Sequence, residues 1–261
     1  MLKRDASDDP STNAYENKRL RACFDETAEE FACPITCELP VDPVTAEDGR
    51  VYERCAITQW LSRPGLPTSP VTNEPMGRRL MPARQVRCAL DRMVRSGVLV
   101  GPKVDAWSRK LMDEQIVATV RRMAEEGDGE AMAHLAHWYY RGEKGLPVDP
   151  VAAVEWYGGG HDAGDLTCTT QLGTCHARGI GVERDASRGV ELWRDAAERG
   201  SQHACFILGG CFAVGRHGVG RDASEAARWY RAMADATHRD APHEQLERAE
   251  AWLREHDEAG A

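Results

Sequence analysis

The sequence predicts a small α+β domain followed by an all-α solenoid of helical hairpins, and three observations point there. From residue 127 onward the chain repeats itself: Leu135, Leu172 and Leu208 fall in register with periods of 37 and then 36 residues. A period of about 20–50 residues marks a solenoid, because each unit buries its apolar face only against its neighbours. Earlier, Asp48-Gly49 is a hairpin-turn signal flanked by "VTAE" and "RVYE" as short strands, with "ERCAITQWL" following as a short helix. Between the two regions, "SGVLVGPKVD" supplies two glycines and a proline as a junction.

The elements follow in chain order. Residues 1–28 are polar and aperiodic and are expected to form a disordered tail. Residues 29–96 form the compact first domain, closed by an amphipathic helix with Val86, Leu90 and Val94 at helical spacing. Residues 97–126 are read as a linker and leading helix, "AWSRKLMDEQIVATVRRMAEEG", with Gly127 as its C-cap. Three repeats occupy 127–236. Besides the leucines they align Gly127, Gly164 and Gly200; Ala131, Cys168 and Ala204; Gly142, Gly179 and Gly215; and Asp149, Asp185 and Asp222. Each aspartate is followed by a large pair, Trp156-Tyr157, Leu192-Trp193 or Trp229-Tyr230. Small residues let paired helices approach, and the aromatics fill the space between units. Glycine inside a helix costs about 1 kcal/mol against alanine, so "GGG" at 158–160 is expected to end its helix early. Residues 237–261 are expected to form a capping helix, which a repeat array needs at its exposed end.

Composition excludes several function classes. The chain has 261 residues and a formal charge of −9, which argues against general nucleic-acid binding. The arginine-rich run from Arg78 to Arg95 reads as the solvated face of a helix. No secretory signal or membrane span is legible, so a cytoplasmic or nuclear location and reduced thiols are expected.

"CPITCELPVDP" at 33–43 looks like half of a zinc finger, and counting ligands tests that. A cross-braced finger needs about eight paired ligands. Residues 1–133 hold Cys23, Cys33, Cys37, Cys55 and Cys88 and no histidine. Two sites cannot be built from these, and a single one from Cys33, Cys37, Cys55 and Cys88 is a poor fit to ligand spacing. The C-x-x-C redox spacing is also absent. Small buried thiols are the better account, leaving a metal-free module. A structural zinc contributes about 10–16 kcal/mol, against about 0.5–1.5 for one net hydrogen bond. The loops must therefore be held by an apolar core and several polar contacts, for which Glu38, Asp42, Glu53, Arg54, Thr72 and Asn73 are the candidates.

These residues resemble a known family. C-P-I-T at 33–36, D-P-V at 42–44, D-G at 48–49, Y-E-R at 52–54, A-I-x-x-W-L at 56–61 and S-P-V-T at 69–72 are similar, in order, to the U-box, the zinc-free relative of the RING domain. The pattern A-x3-L-[AG]-x5-G, then Asp, then Trp-Tyr, resembles Sel-one-like repeats, relatives of the tetratricopeptide repeat. The first resemblance implies a ubiquitin-protein ligase with no nucleophile, cofactor or metal of its own. It would bind a ubiquitin-conjugating enzyme carrying ubiquitin and promote transfer to substrate lysines by orientation. Carried over by position, the conjugating-enzyme surface is Ile35, Cys37, Trp60 and Pro70, and Asn73 stands at the linchpin position. Cys37 is smaller than the residue common there, Asn73 lacks the usual positive charge, and Ala83 replaces an asparagine that ties the second loop to the last helix. The repeats would recruit a substrate or adaptor, and dimerising family members make a homodimer an expectation. The alternative is a non-enzymatic scaffold with a degenerate U-box. A secreted, disulfide-linked role, suggested by Cys168/Cys175 and Cys205/Cys211, is disfavoured by unequal spacings.

Overall fold

The computed structural model describes residues 29–236 and 241–258. The predicted tail at 1–28 lies outside them, as do the ends of the predicted capping segment. The chain divides into two units, Met1–Asp113 and Glu114–Ala261.

In the first unit, β1 (Pro43–Thr45) and β2 (Val51–Glu53) pair antiparallel, with Val44 opposite Tyr52. Gly49, at φ 75°, makes the turn between them. A third strand, β3 (Met81–Pro82), pairs with the other edge of β1, giving the order β2-β1-β3. Helix α1 (Arg54–Leu61) buries Ile57 and Leu61. They pack with Cys33, Val44, Ala46 and Tyr52, and the fully buried Cys33 is a core thiol. Helix α2 (Arg84–Arg95) buries Leu90, with Val86 and Val94 half-buried beside it.

Helix α3 (Pro102–Glu125) starts four residues before the expected alanine, because proline suits a first helical turn, where its missing N–H is not needed. Its residues up to Asp113 belong to the first unit. There Val104 and Trp107 close a core with Leu39, Val41, Leu90 and Leu99. Trp107 Nε1 donates to the carbonyl of Pro40 at 3.0 Å, and Lys110 pairs with Glu38.

The second unit stacks helical hairpins: α4 (Gly129–Arg141) with α5 (Pro150–Asp162), α6 (Leu166–Arg178) with α7 (Ala186–Glu198), and α8 (Gln202–Val214) with α9 (Ala223–Asp235). Helix α10 (His243–Glu258) buries Ala249 against the last pair. The aligned positions acquire distinct physical roles. Gly142, Gly179 and Gly215 take left-handed φ of 70–76° as C-caps of the first helices. Asp149, Asp185 and Asp222 are N-caps of the second helices. Ala131, Cys168 and Ala204 donate their backbone N–H to the N-cap side chains Asp128, Asp165 and Ser201 while their own side chains are buried. The leucines Leu135 and Leu208 are fully buried.

The triple glycine does not end its helix: α5 runs on to Asp162. Tertiary packing outweighs local propensity there, since a Cβ on Gly160 would lie 2.8 Å from Cys168 Cβ. Gly189 is likewise a contact residue. A Cβ there would meet Ala177 Cβ and the Gly173 carbonyl at 2.7 Å each. Gly189→Ala is therefore expected to destabilise the second unit by about 1–2 kcal/mol, despite alanine's better helix propensity. Gly158 has no neighbour within 4 Å of such a Cβ. Gly158→Ala should stabilise by about 0.5–1 kcal/mol, and urea denaturation of both variants checks the opposite signs.

Cys168, Cys175, Cys205 and Cys211 are buried and none is disulfide-bonded. Burial raises the thiol pKa of Cys175 and of Cys211 to about 11 each, which keeps both protonated and unreactive.

Candidate functional site: two loops and a helix

Two loops flank α1. The first, 33–42, is closed by two backbone bonds of 2.8 Å, from Cys33 N–H to the Glu38 carbonyl and from Cys37 N–H to the Cys33 carbonyl. Glu53 accepts from the N–H groups of Val41 at 2.7 Å and Asp42 at 3.2 Å. Arg54 Nε donates to Asp42 at 2.6 Å. Thus four of the six residues predicted to hold the loops, Glu38, Asp42, Glu53 and Arg54, hold the first one.

The second loop, 67–76, is organised by residues that sequence reasoning read otherwise. Ser69 is 1% exposed, and its Oγ donates to Asp48 Oδ2 at 2.7 Å while accepting from the N–H groups of Val71 and Thr72. Tyr52, fully buried, donates its hydroxyl to the same carboxylate oxygen at 2.7 Å. Glu47 accepts from Gly77 N–H at 2.8 Å and Arg79 N–H at 3.3 Å. Asp48 had been visible only as a turn residue, yet it joins the hairpin to a loop 21 positions away. Thr72 and Asn73 play smaller parts: Thr72 Oγ1 accepts from Glu74 N–H at 3.4 Å, and Asn73 N–H donates to the Ser69 carbonyl at 3.0 Å.

Partial burial works to raise the Asp48 pKa, but the bonds from Tyr52 and Ser69, with Arg50 nearby, outweigh it and hold the carboxyl below its usual range. Burial, and then the Asp48 carboxylate, push the Tyr52 phenol up to about 12. A raised phenol pKa favours the folded state below the unfolded value of about 10 and loses that contribution as pH rises through the folded value. The lowered carboxyl contributes above about pH 4 and is lost as pH falls through its folded value. Stability of the first unit is expected to drop between about pH 10 and 12. The drop should be smaller in Tyr52→Phe when unfolding is followed by denaturant titration.

Each predicted surface residue has a definite place. Ile35 and Trp60 are half-buried and pack on one cluster with Cys33 and Ile57. Trp60 Nε1 donates to the Thr68 carbonyl at 2.9 Å, tying α1 to the second loop two residues before the half-buried Pro70. Arg63 lies over the Trp60 ring, 4.2 Å from its centroid. Cys37 and Asn73 are exposed and left-handed, at φ 56° and 59°. Asparagine tolerates that conformation, so Asn73 suits its turn whatever else it does, whereas Cys37 is strained by about 1–2 kcal/mol. Ala83 is buried, has no side-chain hydrogen bond, and donates its N–H to the Pro43 carbonyl. The second loop is held by Asp48 and Glu47 instead. Among the described residues, no group of three or more His, Cys, Asp or Glu side chains could hold a metal ion.

The U-box domain family matches residues 27–96, and the Sel1 repeat family matches 129–158, 168–201 and 202–238. This chain joins a U-box domain to three Sel1 repeats. The chain is 42% identical over 78 residues to WD repeat, SAM and U-box domain-containing protein 1 of Danio rerio, covering 30% of this chain and 16% of that protein. It is 46% identical over 54 residues to the Lotus japonicus protein named "Putative E3 ubiquitin-protein ligase LIN-1", covering 21% of this chain and 4% of that one. The chain thus spans only a small part of the length of these relatives. A solved Sel1 repeat protein from Oxalobacter formigenes matches 45% of this chain and 88% of its own, with 27% identity and a TM-score of 0.41. No helix among the described residues is long and apolar enough to cross a membrane.

Proposed function

We propose that this protein is a ubiquitin ligase of the U-box type. Its U-box binds a ubiquitin-charged conjugating enzyme through Ile35, Cys37, Trp60 and Pro70, and its repeats recruit a substrate or adaptor. The observation that carries the proposal is the joining of the two loops across α1. Ile35 and Trp60 share a cluster while remaining partly open to solvent, and the Trp60–Thr68 bond fixes the second loop beside them. A small apolar surface on pinned loops suits a weak, fast-exchanging contact. The U-box supplies no nucleophile: it holds the thioester in a geometry open to a lysine amine, so catalysis is orientational. Asn73 can donate a neutral hydrogen bond across the complex, weaker than the charged linchpin it replaces. Cys37, with its short side chain, selects which conjugating enzymes dock.

The test is a reconstituted reaction with activating enzyme, a panel of conjugating enzymes, ubiquitin and ATP. Ubiquitin chains are expected with at least one conjugating enzyme, falling at least about tenfold in Ile35→Ala and Trp60→Ala, the loss of about 1.4 kcal/mol or more at an anchor residue. Transfer unaffected by both substitutions would move the site elsewhere. No transfer with any member of the panel would favour the scaffold reading.

A further inference from the structure

In the second unit, the first helices of the three repeats and α10 line a cavity of about 360 Å³. Its walls include Arg141, Arg178, Tyr140, Phe206 and Ile207, and among the described residues no aspartate or glutamate lines it. That is unusual in a chain of net charge −9. Arg141 and Arg178 occupy equivalent positions of successive repeats, each six residues after the aligned leucine and each in the last turn of its helix. Both are exposed, and among the described residues no carboxylate holds either guanidinium. A third guanidinium, Arg248 of α10, lies 5.5 Å over the Phe206 ring. The Glu143 carboxylate lies 4.0 Å from Nε2 of His137, a residue of the same wall.

We propose that this groove takes an extended, acidic peptide segment of a partner protein, its carboxylates on Arg141 and Arg178 and an apolar side chain against Tyr140, Phe206 and Ile207. This rests on reading the repeats as the recruiting half of the ligase. Guanidiniums that no described carboxylate holds are forks for bidentate carboxylate contacts, and the half-buried aromatic and aliphatic surfaces between them provide the apolar contact. Helices α4 and α6 pack on each other, so the two arginines are set apart by about one interhelical distance, about 8–10 Å. An extended chain rises about 3.3 Å per residue, which places the two acidic side chains about two to three residues apart.

The test is to pan a displayed library of random dodecapeptides on the full-length protein. Enriched peptides should carry two or more acidic residues at that spacing beside a bulky apolar one. Their synthetic, fluorescein-labelled forms should bind at least tenfold more weakly to Arg141→Glu/Arg178→Glu, and to the milder Arg141→Gln/Arg178→Gln. Raising the salt from about 50 to 500 mM should also weaken binding, as ion pairing on an open groove requires. Both variants should keep wild-type circular dichroism and wild-type ubiquitin-chain formation in the reconstituted reaction, because neither arginine lies in the U-box. No enrichment, enrichment of basic or uncharged peptides, or binding indifferent to both variants would overturn the proposal. Any of these would leave the ligase reading standing. Conversely, peptide binding without ubiquitin transfer would uphold the groove and sink the ligase.

Discussion

Asp48→Ala is expected to destabilise the U-box by about 2–4 kcal/mol and to loosen its second loop. The substitution removes the acceptor of two hydroxyl donors, Tyr52 and Ser69, which are 0% and 1% exposed. Each buried donor left without a partner costs about 1–3 kcal/mol, and solvent reaching the partly exposed aspartate offsets some of this. A unit of this size shifts its melting temperature by about 4–8 °C per kcal/mol, so the U-box transition should fall by about 8–32 °C in calorimetry. Asp48→Asn keeps an acceptor and loses the charge, and should fall in between. Amide exchange should accelerate at Val71 and Thr72, whose N–H groups depend on Ser69 Oγ. If Asp48→Ala melts like the wild type, the carboxylate does not replace a metal as the anchor of this loop.

The second large effect lies in the repeats. Trp193 is 2% exposed, seats its ring against Gly173 and donates Nε1–H to the Thr170 carbonyl at 3.0 Å. It also meets His217 of the third repeat edge-on, with ring centroids 5.4 Å apart. Trp193→Ala should cost about 3–5 kcal/mol through lost burial and the cavity left behind. The indole links the second and third repeats, and solenoid stability is approximately a sum of unit and interface contributions. The loss should therefore appear as a lower urea midpoint and a broadened transition, with the C-terminal helices exchanging first. An unchanged midpoint with a sharp transition would show that the interface does not depend on this ring.

These cases also show what could be read from the chain. The repeat register was legible because caps and contacts recur: a left-handed glycine, a capping aspartate and a small residue under a capping side chain each accept few residue types. Helix α1 and the hairpin were legible from periodicity and from Asp48-Gly49. Three features were not. Strand β3 has only two residues, too few for alternation to show. The Asp48–Ser69–Tyr52 cluster was hidden because a turn aspartate looks the same with or without a distant partner. The glycines at 158–160 misled because propensity is local, whereas Gly160 answers to Cys168 on the next hairpin. At the proposed docking surface, Ile35 and Pro70 came by position from the U-box resemblance, and their places in loops argued only that they are not core residues. The Trp60–Thr68 bond and the Arg63 guanidinium over the indole ring needed coordinates.

The central claim, that this metal-free U-box activates a charged conjugating enzyme by orientation, is tested most directly by single-turnover discharge. Ubiquitin held as a thioester on a conjugating enzyme is mixed with free lysine, with and without the full-length protein, and loss of the thioester is followed over time. The account predicts discharge accelerated at least about tenfold, insensitive to chelators and lost in Ile35→Ala. Discharge that no conjugating enzyme shows accelerated, or acceleration abolished by chelation, would contradict it.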